Sequence, residues 1–315
     1  MKLRITANED KHHFYGHGKL MITGEYFVLD GAQSLALPTK FGQHLRVREL
    51  SSFDGLLYWI ALNSKKQPWL QFTFDKSDFS CLNDTSAQAN DLSKILNATR
   101  ELNPDFLIDK RDLAVETALE FPNDWGLGSS STLIYCLSEW ANVNAYTLLQ
   151  NSIGGSGYDV ACAGSDSAIV YQKIGEEPST TKVNWRPSFN DKIYFAHLGK
   201  KQSSPDAIKY YRQQLKDKTH AVNELNRITG LIINTQDFNR FEELLNEHEV
   251  LIGAQLKLMK VKDTLFSDYW GSVKSLGAWG GDFVMLTNNK SREELTDYLQ
   301  QKNISTILSW EEMIL

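Results

Sequence analysis

The chain has 315 residues, long for a single core, so two packed lobes are expected. A composition of 42% hydrophobic and 23% charged residues, without an apolar run of bilayer length, points to a soluble globular protein rather than a membrane or disordered one. The net charge of −6 argues against a nucleic-acid binder, so an anionic ligand must be held by a local cluster of donors and cations.

The opening residues Met1–Thr6 carry no signal-peptide core, and a cytoplasmic location is expected. From Phe14 to Val47, β-forming residues interrupted by Gly16, Gly18, Gly24, Gly31 and Gly42 predict short strands and tight turns. Leu56–Trp59 and Leu70–Phe74 read as strands, Asp91–Leu102 as a helix and Asp112–Glu120 as a further strand. A Gly/Ser-rich turn then leads into an apolar helix from Leu133. A second glycine turn at Gly154–Gly157 precedes a helical or turning segment to Ala163, and Ser167–Gln172 reads as a strand. The polar stretch Glu176–Pro187 is the expected hinge, dividing an N-terminal lobe (1–185) from a C-terminal lobe (186–315). Lys192–His197 is a short strand, and Pro205–Thr229 and Asp237–Met259 have helical apolar spacing. Phe283–Thr287 reads as a strand, Ser291 with Glu294 as a capping box opening a helix, and Ile304–Leu308 as a closing strand. The mixture of strands and helices predicts an α+β fold in both lobes. Cys136 and Cys162 lie in apolar settings and, with Cys81, are spaced unlike metal ligands; buried thiols of a reducing compartment are expected.

Three segments carry chemistry. Residues 122–132, Pro-Asn-Asp-Trp-Gly-Leu-Gly-Ser-Ser-Ser-Thr, place small residues at the start of a helix. Free backbone N–H groups and the positive end of the helix dipole there attract an anion, usually phosphate. Taken alone, the segment is equally well a turn capping a helix. In Gly16-His17-Gly18-Lys19, the lysine precedes a β-like apolar run and has no bulky neighbour to block a ligand; a surface lysine at a strand start is the alternative. In Gly154-Gly155-Ser156-Gly157-Tyr158-Asp159, the carboxylate follows a tight turn and can accept or orient a hydroxyl proton, or cap the next helix. Lys274–Phe283 adds a glycine-rich turn that lets backbone approach a ligand; a hairpin between two strands is the alternative.

Taken in order, Gly-Lys…Gly-Glu-Tyr, Pro-x₃-Gly-Leu-Gly-Ser-Ser, Ser-Gly-x-Asp and Gly-Ala-x-Gly-Gly resemble the GHMP kinase family over residues 14–286. The resemblance implies a two-lobed fold: an N-terminal lobe like domain 2 of ribosomal protein S5 and a ferredoxin-like C-terminal lobe. ATP and Mg²⁺ are the implied cofactors. Gly126, Leu127, Gly128, Ser129, Ser130 and Ser131 would wrap the phosphates, with Ser130 as the Mg²⁺ ligand. Gly277, Gly280 and Gly281 would support that loop. Lys19 would stabilise charge on the transferred phosphoryl, and Asp159 would act as base or orienting group. Glu25, Tyr26, Ser156, Gly157, Ala278 and Lys201 would meet the substrate. Lys200, Arg186 and Lys274 are, with Lys201, candidates by position alone for a phosphate on the substrate, a solvated surface charge being the alternative for each. Gly-Glu-Tyr-Phe-Val-Leu at 24–29, Gly-Ser-Gly-Tyr-Asp-Val-Ala at 155–161 and Gly-Ala-Trp-Gly-Gly-Asp at 277–282 resemble the phosphomevalonate kinase form, with mevalonate kinase next. A diphosphomevalonate decarboxylase or a binding protein without turnover are the alternatives. The expected partner is a small molecule, with a homodimer left open; neither nucleic acid nor a membrane is expected. Two departures from the family pattern stand out. Ala145–Gly157 contains no acid where members often carry a second Mg²⁺ ligand, leaving Glu139 one helix earlier, and Trp279 replaces a glycine.

Overall fold

A computed structural model describes residues 11–175, 177–199, 204–214, 218–277, 279 and 282–315. In chain order they form β1 (His12–Met21), β2 (Ser34–Glu49), β3 (Leu56–Leu62), β4 (Pro68–Asp75), α1 (Ala87–Leu102), β5 (Leu113–Leu119), α2 (Ser129–Ala141), α3 (Ala145–Ser152) and α4 (Tyr158–Ala163). There follow β6 (Ile169–Ile174), β7 (Glu177–Lys182), β8 (Ile193–His197), α5 (Ser204–Gln214), α6 (Thr219–Asn234), α7 (Phe238–Leu256) and α8 (Val261–Thr264). The chain closes with β9 (Val273–Leu276), β10 (Phe283–Thr287), α9 (Arg292–Gln301), β11 (Ile307–Ser309) and α10 (Trp310–Met313). One sheet has the order β4-β3-β5-β2-β6-β7, with β1 pairing β2; the other runs β11-β8-β10-β9. The fold is α+β with two sheets.

Two compact units emerge, each assembled from separated stretches of chain. The first holds residues 11–18, Phe41–Asn123 and Gly128–Gly164; the second holds Lys19–Lys40, Asp124–Leu127 and Ser165–Leu315. In the first unit β3 runs parallel to β5 and antiparallel to β4, and β5 pairs with residues 43–49 of β2. Period-two alternation sends Val47, Leu57, Trp59, Phe74 and Val115 into one core. Helix α1 meets it with Leu92, Ile95 and Leu96, spaced for one helical face, and α2 with Ile134 and Leu137. In the second unit the four-stranded sheet is antiparallel throughout. Val284 and Leu286 of β10 pack with Leu295 and Leu299 of α9, which opens on the expected capping box of Ser291 and Glu294.

Three local expectations are corrected. The expected hinge contains β7, which pairs with β6 along Ile169–Ile174; as an edge strand it tolerates Pro178 and a polar sequence. The run from Phe14 to Val47 forms two long strands, not several short ones. Gly42 lies inside β2, where a Cβ would overlap Tyr15 and the Gly16 carbonyl. Its glycine therefore serves a close strand approach and not a turn. Strand β9 pairs antiparallel with β10, which is the two-stranded hairpin weighed as the alternative for the glycine-rich turn. Helix α3 was not expected; it is capped by Asn144, whose side chain accepts the Thr147 N–H at 3.0 Å.

Candidate active site

Within the first unit the glycine/serine segment builds the start of α2. Gly128 is its N-cap in the left-handed conformation (φ 89°) and offers no side-chain acceptor, while α2 continues for 13 residues. The N–H groups of Ser129, Ser130 and Ser131 therefore occupy the first turn, where an α-helix has no backbone acceptor for them. Ser130 is exposed and its two serine neighbours are half-buried. The helix start is fixed from below: Thr132 Oγ1 donates to Gln43 Oε1 at 2.6 Å, and a Cβ on Gly16 would crowd Thr132. Helix α4 packs against α2. Gly157 is its N-cap (φ 94°), so Asp159 is not the cap but the second residue of the first turn, half-buried, with one carboxylate oxygen out of solvent. Ser156 is buried just before that turn. The structure thus brings Ser129–Ser131 and Asp159 onto two adjacent helices of one unit. Glu139 sits exposed towards the far end of α2, three residues before its C-cap.

The second unit holds the other half of the motif residues. The Lys19 N–H donates to the Leu127 carbonyl at 3.0 Å, tying the lysine-bearing strand to the loop, and Leu127 is fully buried. Gly126 has φ 66°, and a Cβ there would overlap the Asp282 carboxylate, which also lies beside Gly277. Trp125 packs edge-on to Phe283 at 5.3 Å, and His197 Nε2 donates to the Asp124 carbonyl at 3.1 Å. Asp282 belongs to the glycine-rich turn, yet nothing in the sequence marked it as the neighbour of Gly126. The expected result for Gly126→Ala is a loss of stability of about 1–2 kcal/mol from the left-handed backbone alone, with the Asp282 overlap added. Denaturant midpoints of the two proteins check this; an unchanged midpoint would remove the steric argument.

Glu25 and Tyr26 part company. The Tyr26 hydroxyl accepts the Trp279 N–H at 2.8 Å, and its ring stacks on Tyr211 at 5.6 Å; burial pushes its pKa up to about 12. Trp279 is buried among Phe27, Tyr211, Ile252 and Leu256 and donates from Nε1 to the Met259 carbonyl at 3.0 Å. Trp279, at a position where the motif resemblance leads one to expect glycine, is therefore part of a core. Glu25 is 1% exposed, and its carboxylate pairs with Lys274, which also faces Glu249 at 3.2 Å. Lys274, a candidate by position for binding a substrate phosphate, is instead wholly buried between two carboxylates. His248 Nε2 accepts the Gly24 N–H at 3.1 Å, so the ring is neutral, and burial beside Lys274 holds its pKa well below the usual value. Burial raises both glutamates, Glu25 to about 7, against the opposing pull of Lys274. Burial also works against the lysine's charge, but the two carboxylates outweigh it and raise its pKa.

Lys201, with Lys200, lies outside the described residues, as do Ala278, Gly280 and Gly281. Arg186 pairs on the surface with Glu311. Among the described residues, no three His, Cys, Asp or Glu side chains converge as a metal centre, and no helix is long and apolar enough to cross a membrane.

Comparison with protein-family models gives no match, nor does comparison with curated protein sequences. Solved structures do match over nearly the whole chain. Mevalonate kinase of Methanococcus jannaschii is 14% identical with a TM-score of 0.68, covering 96% of this chain and 98% of its own. Streptococcus pneumoniae phosphomevalonate kinase, in complex with phosphomevalonate and AMPPNP, is 13% identical with a TM-score of 0.70, covering 95% and 99%. Lactococcus lactis galactokinase, complexed with galactose, is 15% identical with a TM-score of 0.66, covering 93% and 89%. The chain has the fold of the GHMP kinases.

Proposed function

We propose that this chain is an ATP-dependent small-molecule kinase that transfers the γ-phosphoryl group to phosphomevalonate or mevalonate. The observation that carries the reading is the uncapped start of α2, packed against the helix whose first turn holds Asp159. Small side chains and three first-turn amides fit a polyphosphate, and Ser130 supplies an exposed hydroxyl oxygen beside them. Mg²⁺ commonly keeps several waters and borrows phosphate oxygens, so a single hydroxyl ligand from the chain suits it. When bound, ATP would supply the phosphoryl group and Mg²⁺ would neutralise its charge. Ser129–Ser131 would hold and orient the phosphates, Asp159 would accept or align the substrate hydroxyl proton, and Lys19 would offset negative charge in the transition state. Glu25 would serve the substrate through the Tyr26 turn, which it anchors from inside the second unit. Ser156, Gly157 and Lys201 are proposed on the substrate side. The choice of a mevalonate-pathway substrate rests on the Gly-Glu-Tyr and Gly-Tyr-Asp-Val-Ala sequences.

The test is ADP release with MgATP against mevalonate, phosphomevalonate, diphosphomevalonate, galactose and homoserine. Turnover on phosphomevalonate or mevalonate is expected. Turnover on galactose or homoserine alone would replace the substrate assignment, and silence with ATP still bound would favour a binding protein on a kinase fold.

A further inference from the structure

The first unit carries a histidine cluster for which phosphoryl transfer has no use. Strand β1 begins His12-His13-Phe14-Tyr15-Gly16-His17, and alternation places His13, Tyr15 and His17 on one face. Strand β2, paired with β1, adds His44 to that face: the Tyr15 ring lies 4.9 Å from that of His17 and 4.8 Å from that of His44. His44 Nε2 is 3.2 Å from Glu120 Oε1. A carboxylate only accepts, so Nε2 bears the hydrogen, and the neutral ring keeps its lone pair on Nδ1. That Nδ1 is 2.8 Å from His13 Nε2. Glu120 is itself fixed, accepting from the Tyr15 hydroxyl at 2.6 Å and the Gly42 N–H at 3.0 Å.

Two imidazole nitrogens close together, one ring backed by a firmly held carboxylate, form the pattern in which histidines ligate a metal with an outer-sphere acid. We propose that His13 Nε2 and His44 Nδ1 form an open two-histidine site for a borderline divalent transition-metal ion such as Zn²⁺, with Glu120 orienting His44. His13 moves its ring hydrogen to Nδ1 on binding, giving up the hydrogen bond to His44. With no third acidic, thiol or imidazole side chain converging there among the described residues, water completes the coordination and the ion exchanges readily. Imidazole ligands disfavour Mg²⁺, which seeks oxygen, so the site is separate in kind from a nucleotide-borne Mg²⁺. His13 is exposed and the His44 side chain is 23% exposed, so a hydrated ion can reach them.

The experiment is calorimetric titration of the full chain with zinc chloride in buffer containing excess Mg²⁺, with no use of activity. One zinc per chain is expected, together with a metal-dependent rise in melting temperature. His13→Ala and His44→Ala should each abolish that site, and Glu120→Gln should weaken it about 10–100-fold. His12→Ala, on the opposite face of β1, should bind as the parent does. All four variants are checked for the parent melting temperature without metal. Absence of zinc binding to the parent, or a site that survives both His13→Ala and His44→Ala, overturns the proposal.

Discussion

Replacing Asp159 by asparagine is expected to lower turnover by about two to four orders of magnitude while leaving ATP binding nearly intact. The size follows from what is removed. Asparagine has almost the same shape as aspartate and should preserve the first turn of α4, since Gly157 and not Asp159 occupies the cap position. It cannot accept a proton from an attacking hydroxyl, and it carries no negative charge to orient one. The first-turn amides proposed to hold the phosphates belong to α2 and do not depend on the carboxylate's charge. A split between kcat and nucleotide affinity is therefore the signature. It is read by steady-state ADP release alongside direct nucleotide titration. Near-parent turnover would take Asp159 out of the chemistry; joint loss of turnover and ATP affinity would make it a structural residue.

Local features of this chain were legible in sequence and distant ones were not. The capping box of α9 and the limits of β10 were readable because their determinants lie within a few residues. Helix α2 was readable as well, but it starts at Ser129 and not at Leu133, because Ser129–Ser131 join the first turn behind Gly128 instead of the loop. Strand β7 was hidden because an edge strand needs little apolar alternation, and Gly42 misled because glycine marks strand crossings as well as turns. Long-range partners left no local trace. Gln43 and Thr132 are 89 positions apart, and Lys274 and Glu25 are 249 apart. In sequence, Lys274 is one cation at the edge of a glycine-rich stretch. The packing of α7 on β9 brings Glu249 to it, and the segment after β1 brings Glu25 from 249 positions away.

That buried lysine carries the largest expected effect on stability. Lys274→Met keeps an unbranched side chain of similar length in β9 but leaves Glu25 and Glu249 facing each other and neutral His248, all within the interior. Stripping one partner from a buried ion group typically costs about 3–5 kcal/mol, because the remaining charges lose their compensation. The glutamates can relieve the strain by taking up protons, so the cost must depend on pH. In the parent their folded pKa values lie above the ordinary 4.5, Glu25 at about 7. The folded state thus holds protons that the unfolded chain releases, and this contribution to stability is present at low pH and lost as pH rises towards and past 7. Without Lys274 the glutamates hold their protons more tightly still, and ionising them becomes more costly. The difference in unfolding free energy between parent and variant should accordingly be small near pH 5 and large near pH 8. Chemical denaturation at the two pH values measures it. A difference that stays constant with pH would show that lost packing, and not charge compensation by Lys274, holds the Glu25 turn in place.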